Sequence, residues 1–236
     1  MPPTVTTVLS LDDVRLAGRT VLYRVDVNSP LEPSTGAFLD DSRLRSTLDT
    51  LRDLSDAKVV IMGHQSRPGK DDFTGMEVHC DRLSRLLGQT IRFVADICGD
   101  DAIAAIEEMQ SGEKIFLNNV RMHSEEYGPD KVSLEEEPSS EIVTRLSDVA
   151  DAYVSDAFGA AHRNSPTLTG FAEEMPCIAG RLMNTEIRAL GLAVDDPPRP
   201  YVAILGGAKC DDLSLIHISE PTRRTPSSYA VFCLKK

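Results

Sequence analysis

The chain has 236 residues, of which 41% are hydrophobic, so it is long enough for one full core or for one domain and part of another. Its formal net charge is −12 at pH 7. The negative balance argues against nucleic acid as a partner, because phosphate backbones attract basic surfaces. No window approaches the roughly 20 apolar residues of a membrane span, the amino terminus lacks signal-peptide features, and the five cysteines are scattered without CxxC spacing. We therefore expect a soluble cytoplasmic protein that does not bind membranes and has neither a disulfide framework nor a zinc site.

Apolar strands and amphipathic helices alternate through most of the chain. Strands are predicted over residues 21–27, 58–62, 91–94 and 114–117, and a short strand after Asp151 runs into the turn 158–161. Between them the sequence predicts a helix that starts at 40–42, a helix that ends at Gly88, a helix over 101–109 and a helix capped by Ser139 or Ser140. The strands are almost wholly apolar. This pattern predicts an α/β fold with a Rossmann-like parallel sheet and helices on both faces.

The last third of the chain indicates the start of a second α/β domain. A helix is predicted over residues 182–191, a proline-rich linker over 195–200, and a strand over 201–205 that ends in a glycine-rich turn with Lys209. From about Leu213 neither a helical nor a strand period continues. We therefore predict a first domain at 1–181, a helix and linker at 182–200, the opening of a truncated second domain at 201–212, and a foreign tail at 213–236. The open alternative is that the tail is a functional, partner-binding extension.

Polar side chains follow the strands at their carboxyl ends, where ligands bind in parallel sheets. They are Asp26 and Asn28, His64 and Arg67, Arg121 and His123, and His162 and Arg163. Arg43 is in the first turn of its helix, where a cation opposes the helix dipole and is either tolerated at the surface or held for an anion. Convergent arginines repel one another unless an anion lies between them. The spacing therefore predicts a pocket for a small polyanion.

Single residues in this set have simpler interpretations. Arg121 could form a surface ion pair with Glu125 or Glu126, which would contribute about 0 to 1 kcal/mol and carry no function. His79 and His123 are typical of ordinary helix or loop positions, and His217 is in the suspected tail. The pocket hypothesis depends on the arginines acting together.

Five segments resemble phosphoglycerate kinase in order and spacing, and the archaeal forms most of all. They are residues 25–30, 63–68, 119–126, 154–163 and 205–209. The resemblance covers about residues 8–212. It implies the amino-terminal domain of that family, the connecting helix, and the opening strand of the nucleotide domain.

The resemblance also implies an activity and a set of site residues. The family transfers a phosphoryl group between ATP and the carboxylate of 3-phosphoglycerate in glycolysis, forming 1,3-bisphosphoglycerate, with Mg²⁺ and as a monomer. By similarity, we expect Arg43 to be catalytic and Lys209 to contact the nucleotide phosphates. The resemblance assigns no metal ligand to this chain. The substrate-binding residues implied are Asp26, Val27, Asn28, Arg43, His64, Gln65, Ser66, Arg67, Arg121 and Arg163.

Three departures from the family pattern qualify this interpretation. Asn118 replaces a usual glutamate, which we expect to affect a structural contact, and Leu213 occupies the place of a second lysine found in many members. The nucleotide domain beyond Asp212 is missing from the sequence. Because the reaction requires two domains that close on each other, we expect this fragment to bind 3-phosphoglycerate but to be inactive as a kinase alone. The alternative hypothesis is a non-catalytic anion-binding or interaction module on an α/β sheet.

Overall fold

The computed structural model describes residues 8–32, 34–195, 197–205 and 230–233. The chain divides into two compact units, one ending at Ile187 and the other beginning at Arg188, and each is described by itself. No helix in the described ranges is long and apolar enough to cross a membrane.

The first unit is built on a six-stranded sheet in the order β3-β4-β2-β1-β5-β6. The strands are β1 Thr20–Arg24, β2 Lys58–Met62, β3 Arg92–Val94, β4 Lys114–Leu117, β5 Ala152–Ser155 and β6 Cys177–Ala179. Every neighbouring pair is parallel. The parallel α/β sheet expected from the alternating pattern is confirmed.

Helices cover both faces of this sheet. They are α1 Ser42–Ser46, α2 Leu48–Asp53, α3 Glu77–Leu87, α4 Asp100–Glu107, α5 Glu141–Ser147 and α6 Pro166–Thr169. A further helix, α7 Arg181–Asp195, follows β6 in the chain. Alternate residues of β1 belong to opposite cores: Val21 and Tyr23 pack with α1 to α3, and Leu22 packs with α4 and α5. Because both faces are buried, the central strands are mostly apolar.

Two elements differ from the sequence expectation because of a local hydrogen bond. Strand β1 ends at Arg24 and not at residue 27, because the next carbonyl, that of Val25, accepts a bond of 2.6 Å from the Arg24 guanidinium. The single helix expected after residue 42 is two helices joined at Thr47. The Thr47 hydroxyl donates to the Leu44 carbonyl at 2.8 Å, a side-chain bond that competes with the helical pattern.

The second unit contains a strand pair that the sequence analysis did not predict. Strand β7, Val202–Leu205, pairs antiparallel with β8, Ala230–Cys233. The sequence shows no sustained strand period after Leu213, yet residues 230–233, which include a valine and a phenylalanine, form a strand. The glycine-rich turn with Lys209 and the rest of the suspected tail lie outside the described residues, and the proposed domain boundaries stay predictions.

Candidate functional site

A cleft of about 670 Å³ lies beyond the carboxyl ends of β1, β2, β4 and β5. Its walls come from the loops that follow these strands and from the start of α6. The lining residues are Arg24, Asn28, His64, Ser66, Arg67, Lys70, Asp72, Arg121, Glu126, Tyr127, Lys131, Ala160, Arg163, Asn164, Ser165 and Leu168.

The cleft concentrates positive charge in a negatively charged chain. Six of its lining residues are arginine or lysine and two are acidic. Within the described part of the chain, none of these six cations forms an ion pair with a carboxylate. By contrast, eight arginines elsewhere in the described ranges form ion pairs, namely Arg19, Arg43, Arg45, Arg52, Arg82, Arg92, Arg145 and Arg181. Unpaired cations that line one cleft favour an anionic ligand.

Arg24, the last residue of β1, is the most deeply buried of these cations, with 1% of its surface exposed. Its guanidinium donates to the Thr167 hydroxyl at 3.0 Å, to the Val25 carbonyl at 2.6 Å and to His64 Nδ1 at 3.2 Å. The sequence analysis missed this residue. The available signal was a cation inside an apolar strand, since arginine is almost never fully buried unless paired.

His64 is a neutral hydrogen-bonding group. Burial, reinforced by the positive charges of Arg24, Arg163 and Arg43, lowers its pKa from 6.5 to about 2. Because arginine can only donate, Nδ1 accepts the bond from Arg24, and the ring proton of the neutral form is on Nε2. The ring lines the cleft, so His64 offers a donor there without adding charge.

The loop after β2 is held in an unusual backbone conformation at Ser66, whose φ is 53°. Its amide donates to Asn28 Oδ1 at 2.8 Å, its hydroxyl donates to Asp72 Oδ1 at 2.5 Å, and its carbonyl accepts from Arg121 Nη1 at 2.5 Å. The Arg121 guanidinium also lies over the Tyr127 ring, 5.1 Å from its centroid. These contacts bring three predicted site residues, Asn28, Ser66 and Arg121, to one wall of the cleft.

Arg43, Asp26 and Val27 lie outside the cleft lining. The Arg43 guanidinium forms an ion pair with the Asp26 carboxylate, and it is not among the residues that line the cleft with Arg67, Arg121 and Arg163. The Val27 side chain is fully buried in the core, and it cannot contact a ligand without rearrangement.

Gln65 is also buried, and its side chain organises the loop after β1. Its amide nitrogen donates to the Ser29 carbonyl at 3.0 Å, and its amide oxygen accepts from the Ser29 amide at 3.1 Å. His79 Nε2 is 3.0 Å from the same oxygen. Gln65 therefore supports the wall that carries Asn28 and does not itself line the cleft.

Two of the six cations, Lys70 and Lys131, come from loops with no periodic sequence signal, and the sequence analysis missed them too. His123 is not in the lining, and its Nε2 lies 3.6 Å from Glu141 Oε2. Asn118 does make structural contacts: its side-chain oxygen accepts from the Met76 amide at 3.3 Å. No group of three or more histidine, cysteine or acidic side chains that could hold a metal ion occurs among the described residues.

The chain is similar in sequence and in fold to known proteins. A family model of phosphoglycerate kinase matches residues 11–218. The phosphoglycerate kinases of Methanothermobacter thermautotrophicus and Methanothermus fervidus are 45% and 46% identical over 209 residues, which is 88% of this chain and 50% of each relative. The crystal structure of phosphoglycerate kinase from Pyrococcus horikoshii OT3 superposes with a TM-score of 0.81 at 41% identity, covering 86% of this chain and 50% of that one.

A more distant structure, phosphoglycerate kinase from Coxiella burnetii, has a TM-score of 0.69 at 26% identity, covering 90% of this chain and 51% of that one. The chain thus spans about half the length of the relatives that it matches. The family model covers most of this sequence. The chain belongs to the phosphoglycerate kinase family.

Proposed function

We propose that the cleft binds 3-phosphoglycerate or 1,3-bisphosphoglycerate, and that the complete enzyme transfers a phosphoryl group between ATP and the carboxylate of 3-phosphoglycerate in glycolysis. One observation carries the proposal: Arg24 is buried at the cleft and no carboxylate pairs with it among the described residues. A buried cation that forms no direct ion pair is costly. A phosphate group in the cleft would supply that partner.

The other lining residues support a division of the cleft between the two ends of the ligand. Arg67, Arg121 and Arg163 would join Arg24 at the phosphate, where guanidinium groups donate paired hydrogen bonds. Neutral His64 would donate a further bond from Nε2. Asn28, beside the Asp26–Arg43 pair, would contact the hydroxyl and carboxylate end.

The chemistry requires no general base from this unit. The attacking carboxylate of 3-phosphoglycerate is already ionised at neutral pH, so the protein has to position it and neutralise charge. Arg43 would stabilise the phosphoryl group during transfer. For that role its guanidinium has to exchange the Asp26 carboxylate for the ligand.

ATP, ADP and Mg²⁺ are the remaining partners implied by the family. Lys209, the residue proposed to contact the nucleotide phosphates, lies outside the described residues. Because the described residues contain no cluster that fits a metal, we assign no step to Mg²⁺. The monomeric state and the cytoplasmic location stay predictions.

Calorimetric titration of the chain with 3-phosphoglycerate tests the proposal, with glycerate as the ligand that lacks the phosphate. We expect 3-phosphoglycerate to bind at low salt and to weaken as salt rises, and glycerate not to bind in the same range. Arg67→Ala should weaken binding about tenfold, and the control Arg52→Ala, at an exposed ion pair, should not.

Equal affinity for inorganic phosphate and 3-phosphoglycerate would favour the alternative, a general anion-binding module. The absence of heat with a folded sample at low salt would contradict both proposals.

A further inference from the structure

The buried cation of the cleft is joined to a buried carboxylate through one hydroxyl group. Arg24 Nε donates to Thr167 Oγ1 at 3.0 Å, and Thr167 Oγ1 donates to Glu126 Oε1 at 2.7 Å. The exposed fractions of Arg24, Thr167 and Glu126 are 1%, 0% and 4%. All three side chains are therefore buried, next to the cleft.

The direction of both hydrogen bonds is fixed by chemistry. A guanidinium can only donate, and a carboxylate only accepts, whereas a hydroxyl does both. The hydroxyl proton of Thr167 must therefore face Glu126, and its lone pair must face Arg24. Glu126 is itself fixed, because its carboxylate also accepts from the Thr167 amide at 2.9 Å and from the Ser165 hydroxyl at 2.8 Å.

The Thr167 hydroxyl separates the Glu126 carboxylate from the Arg24 guanidinium. Glu126 lines the same cleft as Arg24, yet no salt bridge joins them within the described ranges. A direct salt bridge would occupy the guanidinium and compete with an anionic ligand. With Thr167 between them, the carboxylate orients the guanidinium without taking the groups that a ligand would use.

The remaining contacts of Arg24 leave donors for a ligand. Its terminal nitrogens Nη1 and Nη2 donate one bond each, to the Val25 carbonyl and to His64 Nδ1. A guanidinium has five N–H groups, so each terminal nitrogen keeps one N–H beyond the three bonds described. Two such terminal N–H groups are the donors with which a guanidinium can bind two oxygens of one phosphate.

We propose that Thr167 and Glu126 are positioning residues for the ligand phosphate, acting through Arg24. The inference rests on the proposed function, because it assigns how the same cleft prepares its deepest donor. It explains why an acidic residue lies in an anion site. It also gives a role to the second glutamate of the segment 119–126, which the proposed function leaves without one.

A double-mutant cycle measured by calorimetric titration with 3-phosphoglycerate tests this role. Thr167→Val removes the hydroxyl at nearly constant volume and should weaken binding about tenfold. Thr167→Ser, which keeps the hydroxyl, should stay within about threefold of the parent chain. In an Arg24→Met background, Thr167→Val should have no further effect, since the residue acts through Arg24.

Equal weakening by Thr167→Val in both backgrounds would overturn the inference, because a role in general packing does not depend on Arg24. If the parent chain itself fails to bind 3-phosphoglycerate, the proposed function fails; if it binds and the cycle is additive, only the inference fails.

A measurement on the parent chain keeps the test independent of whether Thr167→Val folds. The Arg24 Nε–H signal in ¹⁵N spectra should exchange slowly with water and should stay protected when 3-phosphoglycerate is added. Fast exchange of that signal in the folded chain would contradict the hydrogen bond to Thr167.

Discussion

Replacing His64 with glutamine should reduce the loss of stability in acid. The folded-state pKa of His64 is lowered to about 2, first by burial and then by Arg24, Arg163 and Arg43, from an ordinary value of 6.5. As pH falls below 6.5, the unfolded chain binds a proton that the folded chain does not. The unfolded state is then favoured, and His64 makes the protein less stable in acid.

The size of this effect follows from the two pKa values. Between pH of about 7 and about 4.5, the folded ring stays neutral while the unfolded ring becomes charged, and the linkage amounts to about 2.5 kcal/mol. The variant His64→Gln lacks this contribution, and its amide oxygen can still accept the bond from Arg24. Over the same pH range, the free energy of unfolding should therefore fall by about 2.5 kcal/mol less in the variant than in the parent chain.

Urea unfolding at a series of pH values, extrapolated to zero denaturant, measures the difference. His162→Gln is the matched control, because the His162 side chain is exposed, and its curve should follow the parent. Parallel curves for His64→Gln and the parent would refute the argument that His64 is held neutral by its surroundings.

Two further predictions concern backbone positions and are tested by the Tm of thermal unfolding. Gly180→Ala would place a Cβ against Oδ1 of buried Asp156 and should lower stability by about 1 to 3 kcal/mol. Gly191→Ala, with open space around it in α7, should raise stability by up to about 1 kcal/mol. Equal shifts in Tm would contradict the packing argument. Ser66→Gly and Ser66→Ala both lose the hydrogen bond to Asp72, but only glycine relieves the positive φ, so Ser66→Gly should be more stable by about 1 kcal/mol. Identical Tm values would mean that Ser66 carries no backbone strain.

Much of the first unit's sheet could be predicted from the sequence, because strands covered on both faces are apolar runs. The strand at residues 114–117 was predicted with the bounds that β4 has. Strand β6, Cys177–Ala179, was missed because only one of its three residues, Ile178, is a strong strand former, whereas the equally short β3 contains Phe93 and Val94. The helix break at Thr47 was missed because it depends on one side-chain bond to the backbone.

The site could be predicted only in part. Parallel strands end at a common edge, and this rule alone brought Arg67, Arg121 and Arg163 together. It could not show that Arg43 pairs with Asp26, because a contact across 17 positions of the chain is decided by tertiary packing. Nor could it find Lys70, since loops have no periodic signal that shows which way a side chain faces.

We infer that the phosphate of 3-phosphoglycerate binds at Arg24 in the cleft, and a crystal structure of the chain with this ligand would show the binding position. We expect a phosphate within hydrogen-bond distance of Arg24 and His64 Nε2, surrounded by Arg67, Arg121 and Arg163. An ordered ligand bound elsewhere on the molecule, with Arg24 still lacking an anion, would contradict it.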